Sequence, residues 1–308
     1  MTHQSCACVA FTTRMVEYKK QHYLPASYLS NFSDDPAKRD RKSFVWRIDG
    51  EKQVRVPVES QCYENFFYSK DNPEAAEKSF HPREAAYCRI MQELKKTGNV
   101  VEKSMGDLFL YMFDLNLRNA NHKNQTENDG FYAYQQRLNI FLTQMLVNIE
   151  PNKLNVEAVK LHITTNWRME IVHAADDSTF VTSDNPSVFM TCTSKNPKPH
   201  KAVEVIMLPL DPQHLALAFD RRFVGIDIKP KATVPDTITL NLNQIQNSER
   251  CIFSDRELDK TDLKQCRFHF SQRKRSPGYM DEKGWRLSTT YLKPDFCFEF
   301  MKLKPPLF

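Results

Sequence analysis

Near residue 166 the spacing of apolar residues changes from helical to alternating, and that change divides the chain into a helix-rich part and a strand-rich part. Before it, Tyr87, Ile90, Met91 and Leu94 recur at helical intervals between Pro82 and Gly98, which predicts a helix over 83–96. Met105, Leu108, Phe109, Met112 and Leu115 predict a second over 104–120 and Tyr134, Leu138, Phe141 and Met145 a third over 130–147, while Asn152 is placed to cap a fourth ending near Thr165. After it, Trp167, Met169 and Ile171 alternate with Arg168, Glu170 and Val172, Asp176-Asp177 makes a turn, and Thr179–Thr182 reads as the second arm of a hairpin. Residues 43–48 and 53–58 flank Asp49-Gly50 as another hairpin. Short strands over 202–208, 215–219 and 223–228, a helix over 237–248 and a strand over 251–253 follow. The expected class is α+β, a helical middle region packed on an antiparallel sheet built from hairpins. Residues 1–14 read as a disordered extension ahead of Met15, and 15–308 as one domain, helix-rich to 165 and strand-rich beyond.

Composition removes several function classes. The 308 residues include only seven glycines, with no GxGxxG and no GxxxxGK[ST], so neither a dinucleotide fold nor a P-loop is supported. The eight cysteines form no CxxC pair and no zinc ladder, which suits reduced thiols in a cytoplasm. No apolar run is long enough to span a membrane, and 1–14 lack the features of a secretion signal. A net charge of +5 permits an anionic partner without demanding one. Its cations cluster at 38–42 and at 267–275, where Arg267, Arg273, Lys274 and Arg275 interleave with Phe268 and Phe270. That composition suits phosphate contact with base stacking, or a solvated loop or strand edge.

Three stretches resemble a known family. The opening Gln21-His22-Tyr23-Leu24-Pro25, continuing through Tyr28, Leu29 and Phe32, the helix pair that follows a Phe-Tyr, and the strand ending in Ser183-Asp184-Asn185-Pro186 are similar to the bacterial domain of unknown function 4238, as are Leu208-Pro209-Leu210 and the Asn-rich helix entering Ile252-Phe253-Ser254. The likeness covers roughly 18–255 and implies architecture more than chemistry. The family's Gln-x-x-Arg on the long helix is matched by Arg118, but Leu115 stands where the Gln would be.

The chemistry-bearing candidates are His22, Asp184, Asn185, Arg118 and Glu84. An imidazole beside a rigid Pro-led segment suits proton transfer at neutral pH, and a carboxylate and amide at a strand end are exposed on a firm scaffold. With Arg118 or Glu84 nearby they would supply the base, water orienter and oxyanion clamp of a phosphodiester hydrolase acting on nucleic acid or nucleotide, with a divalent metal left open as cofactor and a bacterial defence or toxin effector as its setting. The competing readings are structural: an Asx turn for Asp184, a carbonyl partner for His22, a helix N-terminal charge for Glu84. Asp107, Tyr111, Asp114 and Arg118 share one helix face, which is either solvated or a pocket wall. Enzyme and non-catalytic nucleic-acid or protein binding module both stay open at this point.

Overall fold

The computed structural model of the chain describes residues 19–50, 52–118, 156–193, 202–220, 226–272, 279–281, 284–286 and 298–303. Strand β1 (Lys20–His22) leads through Pro25 into the short helix α1 (Ala26–Leu29), which a 3-10 turn, Ser30–Phe32, extends. Pro25 sits just before the first helical residue and its carbonyl accepts from the Tyr28 and Leu29 amides, so its missing N–H costs nothing there. Strands β2 (Phe44–Ile48) and β3 (Gln53–Pro57) form the expected hairpin, and Gly50 supplies the positive φ of +89° at its turn. Strand β4 (Tyr63–Asn65) pairs antiparallel with β1.

Helix α2 (Pro73–Thr97) corrects the boundary expected from Pro82: it starts at Pro73, capped by the Asn72 side chain, and ends at Gly98 in the left-handed conformation. Pro82 lies inside it. The lost bond is the one to the Lys78 carbonyl, and both residues are on the exposed side of the helix. Meanwhile Ala76, Phe80, Tyr87, Ile90 and Leu94 keep the buried stripe continuous. Helices α3 (Glu102–Leu117) and α4 (Val156–Asn166) follow. The expected helix over 130–147, the Asn152 cap and residues 1–14 lie outside the described residues.

The strands then are β5 (Trp167–His173), β6 (Thr182–Ser183), β7 (Val188–Thr193), β8 (Ala202–Asp211), β9 (His214–Asp220) and β10 (Ile226–Ile228). Helix α5 (Val234–Asn247), β11 (Ile252–Ser254), α6 (Lys260–Ser271), β12 (Tyr279–Asp281), β13 (Gly284–Arg286) and β14 (Met301–Leu303) complete the order. One four-stranded sheet runs β5-β9-β8-β7 and another β3-β2-β11-β6, all pairs antiparallel. The hairpin expected between 167–172 and 179–182 does not form. All seven residues of β5 pair with β9 instead, and β6 joins the other sheet beside β11. The longer pairing lets Met169 and Ile171 pack with Ala216 and Ala218 under the helices, which a four-residue arm could not match.

Alternation decides which core each strand residue enters. On β8, Ile206 and Leu208 face the helical core with Tyr28, Tyr87 and Tyr111, whereas Val205 and Met207 face a second core with Leu240, Phe298 and Phe300. Thr233 and Asp236 form a capping box at the start of α5, and Asp236 also accepts from the Glu299 and Phe300 amides, tying down the last described strand. The 267–271 stretch, expected as loop or strand edge, is the end of α6; Asp259 caps that helix, and its Cys266 and Phe270 pack against the hairpin core with Ile48. No helix among the described residues is long and apolar enough to cross a membrane.

Candidate functional site

Arg118, 1% exposed at the end of α3, organises the polar cluster. Its Nε donates to the Tyr68 hydroxyl at 2.9 Å, one terminal nitrogen to Glu84 Oε1 at 2.7 Å and to Asp114 Oδ2 at 3.5 Å, and the other to the His22 carbonyl at 2.8 Å. The guanidinium also stacks 4.0 Å from the Phe80 ring centre. The acids and the Tyr68 ring more than offset the burial cost, and the guanidinium is held firmly charged. The polar face of α3 is therefore a buried wall: Tyr111, Asp114 and Arg118 are all enclosed, and the half-buried Asp107 pairs with Lys160. Glu84 lies well inside α2, so a helix N-terminal role does not apply to it.

His22 joins this cluster through its backbone carbonyl, and its side chain is half-buried. On β1 the buried Gln21 points inward, where its amide ties Tyr68, Ser69 and Pro73 backbone groups together, and the next side chain points out. His22 Nε2 lies 3.3 Å from the Glu59 carbonyl and the ring packs against Tyr63. A carbonyl only accepts, so the hydrogen sits on Nε2 and Nδ1 keeps its lone pair. Burial lowers the His22 pKa, and the Arg41 and Arg118 cations add to that against the pull of the Glu59 carbonyl and Glu84. Arg41 is exposed, and its guanidinium pairs with no carboxylate among the described residues.

Asp184 and Asn185 occupy a different setting. Asp184 is 2% exposed, and its two oxygens accept from the Glu249 and Arg250 amides at 2.8 and 2.7 Å. Burial pushes its carboxyl up to about 6 even against those donors. Asn185 Nδ2 donates to the Asn247 carbonyl at 3.1 Å, and Asn247 Nδ2 returns a bond to the Asn185 carbonyl at 2.6 Å. Ser183 donates to Gln244, whose amide donates to the Pro186 carbonyl. The whole Ser-Asp-Asn-Pro corner is thus clamped onto α5 and the turn after it.

A family model described as a protein of unknown function, DUF4238, matches residues 20–258. The chain belongs to the DUF4238 family. No curated protein and no solved structure matches it. The matched span of this DUF4238 chain contains these sequence motifs, and one hydroxyl of the opening motif reaches two later strands. Tyr28, from the opening motif, donates to the Pro209 carbonyl at 2.7 Å, so its contact of 2.7 Å with Thr182 Oγ1, beside the Ser-Asp-Asn-Pro corner, has Thr182 as donor.

The structure therefore groups His22, Arg118 and Glu84, and gives Asp184 and Asn185 partners of their own. Sequence reasoning missed three members of the first group: Tyr68, Arg41 and Glu77. Glu77 lies two helical turns before Glu84 on α2, a relation hidden as long as Pro82 is read as the helix start. On α6, Arg267 and Phe268 are on the exposed side, Phe268 60% so, while Arg273, Lys274 and Arg275 lie outside the described residues. Among the described residues, no three His, Cys, Asp or Glu side chains converge in a way that could hold a metal ion.

Proposed function

We propose that the chain hydrolyses a phosphoester of a nucleic acid or nucleotide at the cluster around His22. The observation that carries this reading is the geometry of the His22 ring: Nε2 lies 3.3 Å from the Glu59 carbonyl, which takes its hydrogen and leaves the lone pair on Nδ1, while burial and the Arg41 and Arg118 charges favour the neutral form. In this reading His22 takes a proton from the attacking water, and Glu84, fixed by Arg118, orients that water. Arg41 meets the phosphate oxygens. Arg118 positions the site rather than clamping substrate, because its donors are already engaged with Tyr68, Glu84, Asp114 and the His22 carbonyl. Asp184 and Asn185 hold the frame that Tyr28 leans on, and are not assigned a chemical step. The free thiols of Cys62, Cys88, Cys251 and Cys266 suit a reducing, cytoplasmic setting.

The test is hydrolysis of single-stranded DNA, single-stranded RNA and bis(p-nitrophenyl) phosphate by wild type and His22→Ala, with melting temperatures measured alongside. Loss of about 10²–10⁴-fold in the variant at unchanged melting temperature supports the reading. Equal rates, or no turnover by wild type, contradict it. The second reading, a non-catalytic module binding polyanions, draws on the exposed Arg267 and Phe268 of α6, followed in sequence by Arg273, Lys274 and Arg275.

A further inference from the structure

Among the described residues, Glu77 is the carboxylate of this cluster that Arg118 does not hold by a hydrogen bond. It shares a stripe of α2 with Phe80 and Glu84, since seven residues at about 100° each return to within about 20° of the same face. Arg118 stacks on Phe80 and donates to Glu84, yet Glu77 Oε1 is buried with no hydrogen-bond partner. A carboxyl oxygen without a donor, shielded from water, is where an anion is least stabilised and a proton is most easily kept. The charged and titratable groups that face it are Arg118 from α3, Glu84 from the same helix, Arg41 from the segment before β2, and Tyr68 from the segment before α2.

We propose that Glu77 is the proton donor to the leaving oxygen, an inference that rests on the hydrolytic reading of this cluster. The water oxygen forms a bond to phosphorus while its proton passes to His22 Nδ1. The bond from phosphorus to the ester oxygen breaks, its electron pair goes to that oxygen, and the Glu77 proton neutralises it as the alcohol leaves. Glu77 is half-buried as a residue although its Oε1 is enclosed, so exchange with solvent returns the His22 proton and reloads Glu77. No oxidant, reductant or further co-reactant enters. The protonation states agree with these roles: burial, acting first, lifts the Glu77 carboxyl to about 7 against the pull of Arg118 and Arg41, and keeps His22 neutral. This pairing of a raised acid with a lowered base is what proton transfer in both directions near neutrality requires. The substrate class follows, since an acid is useful only to a leaving group that departs poorly as an anion, such as the sugar hydroxyl of a nucleotide chain.

The experiment compares two substrates with the same phosphate, an alkyl ester and a p-nitrophenyl ester, the second of which leaves without needing a proton. Glu77→Gln is expected to lose about 10²-fold or more on the alkyl ester and to stay within a few-fold of wild type on the p-nitrophenyl ester. A similar loss on both substrates, or on neither, overturns the assignment of Glu77 while leaving the hydrolytic reading intact. Wild type inactive on both overturns the hydrolytic reading itself, and Glu77 falls with it. Should Glu77→Gln not fold, the wild-type pH profile decides: the alkyl ester rate should fall as pH rises through about 7 and the p-nitrophenyl rate should not. The same basic limb on both substrates contradicts the proposal.

Discussion

The Arg118 guanidinium donates to the His22 carbonyl at 2.8 Å, joining the end of α3 to β1 across 96 positions of sequence. The same cation holds Glu84 and the Tyr68 hydroxyl, so backbone and side chains of three segments meet on one buried charge. A buried ion network of this kind is poor evidence for stability, since a well-packed apolar cluster often does as well. Its value lies in fixing where its partners point, and here one of those partners is the backbone carbonyl of His22.

Replacing Arg118 by Met leaves Glu84 without its buried counter-charge and the Tyr68 hydroxyl without its donor, and leaves Asp114 to its pairing with Arg83. The expected cost is about 3–5 kcal/mol in urea unfolding. Arg118→Lys keeps the charge but loses the planar fork that reaches Tyr68, Glu84 and the His22 carbonyl together, and should recover only part of that loss. Full recovery by lysine would mean that charge alone matters at this position.

Asp184 gives a pH signature. Its folded pKa is raised from 3.8 to about 6, burial outweighing the Glu249 and Arg250 amides. A raised folded pKa favours the protonated native state, so the contribution is complete below the unfolded value and is lost as pH rises through about 6. The stability gap between wild type and Asp184→Asn should therefore be larger at pH 4.5 than at pH 7.5, as read by denaturant midpoints at each pH. A gap that widens towards pH 7.5 would refute this account of the carboxyl.

Asn185 and Asn247 exchange side chain and carbonyl in both directions, so removing either strands the other. Single changes to Ala should each cost about 1–3 kcal/mol, and the double variant clearly less than their sum, with a coupling of about 0.5–3 kcal/mol. Additive effects would show that the two amides act independently.

Much of this architecture was legible in the sequence. Asp49-Gly50 announced its hairpin because the positive φ there has few residues that supply it, and Gly98 ended α2 for the same reason. The period change near Asn166 marked the passage from α4 to β5. Strand partners were less legible: Trp167–His173 carries a clear alternation, but alternation sets which face a residue takes and does not name β9 over the nearer 179–182. The site divided in the same way. His22, Arg118 and Glu84 stood out by type, whereas Glu77 was hidden behind Pro82 and Arg41 inside an ordinary basic run. The role of Asp184 needed its two amide donors, which come from residues 65 and 66 positions away.

Polyanion contact, if α6 and the residues after it supply it, should be salt-sensitive. Reversing charge at Arg267, Arg273, Lys274 and Arg275 together should abolish binding to single-stranded nucleic acid and flatten its salt dependence, measured by fluorescence anisotropy over a salt series. Binding left unchanged would remove this surface from consideration.

The most direct measurement is the nitrogen-15 NMR titration of His22, assigned by comparison with His22→Ala. The expected result at pH 7 is a neutral ring with the hydrogen on Nε2 and a bare Nδ1, titrating below the usual value of 6.5. A ring protonated on Nδ1, or one that titrates above 6.5, contradicts the claim that this chain holds a ready base next to the Arg118 cluster.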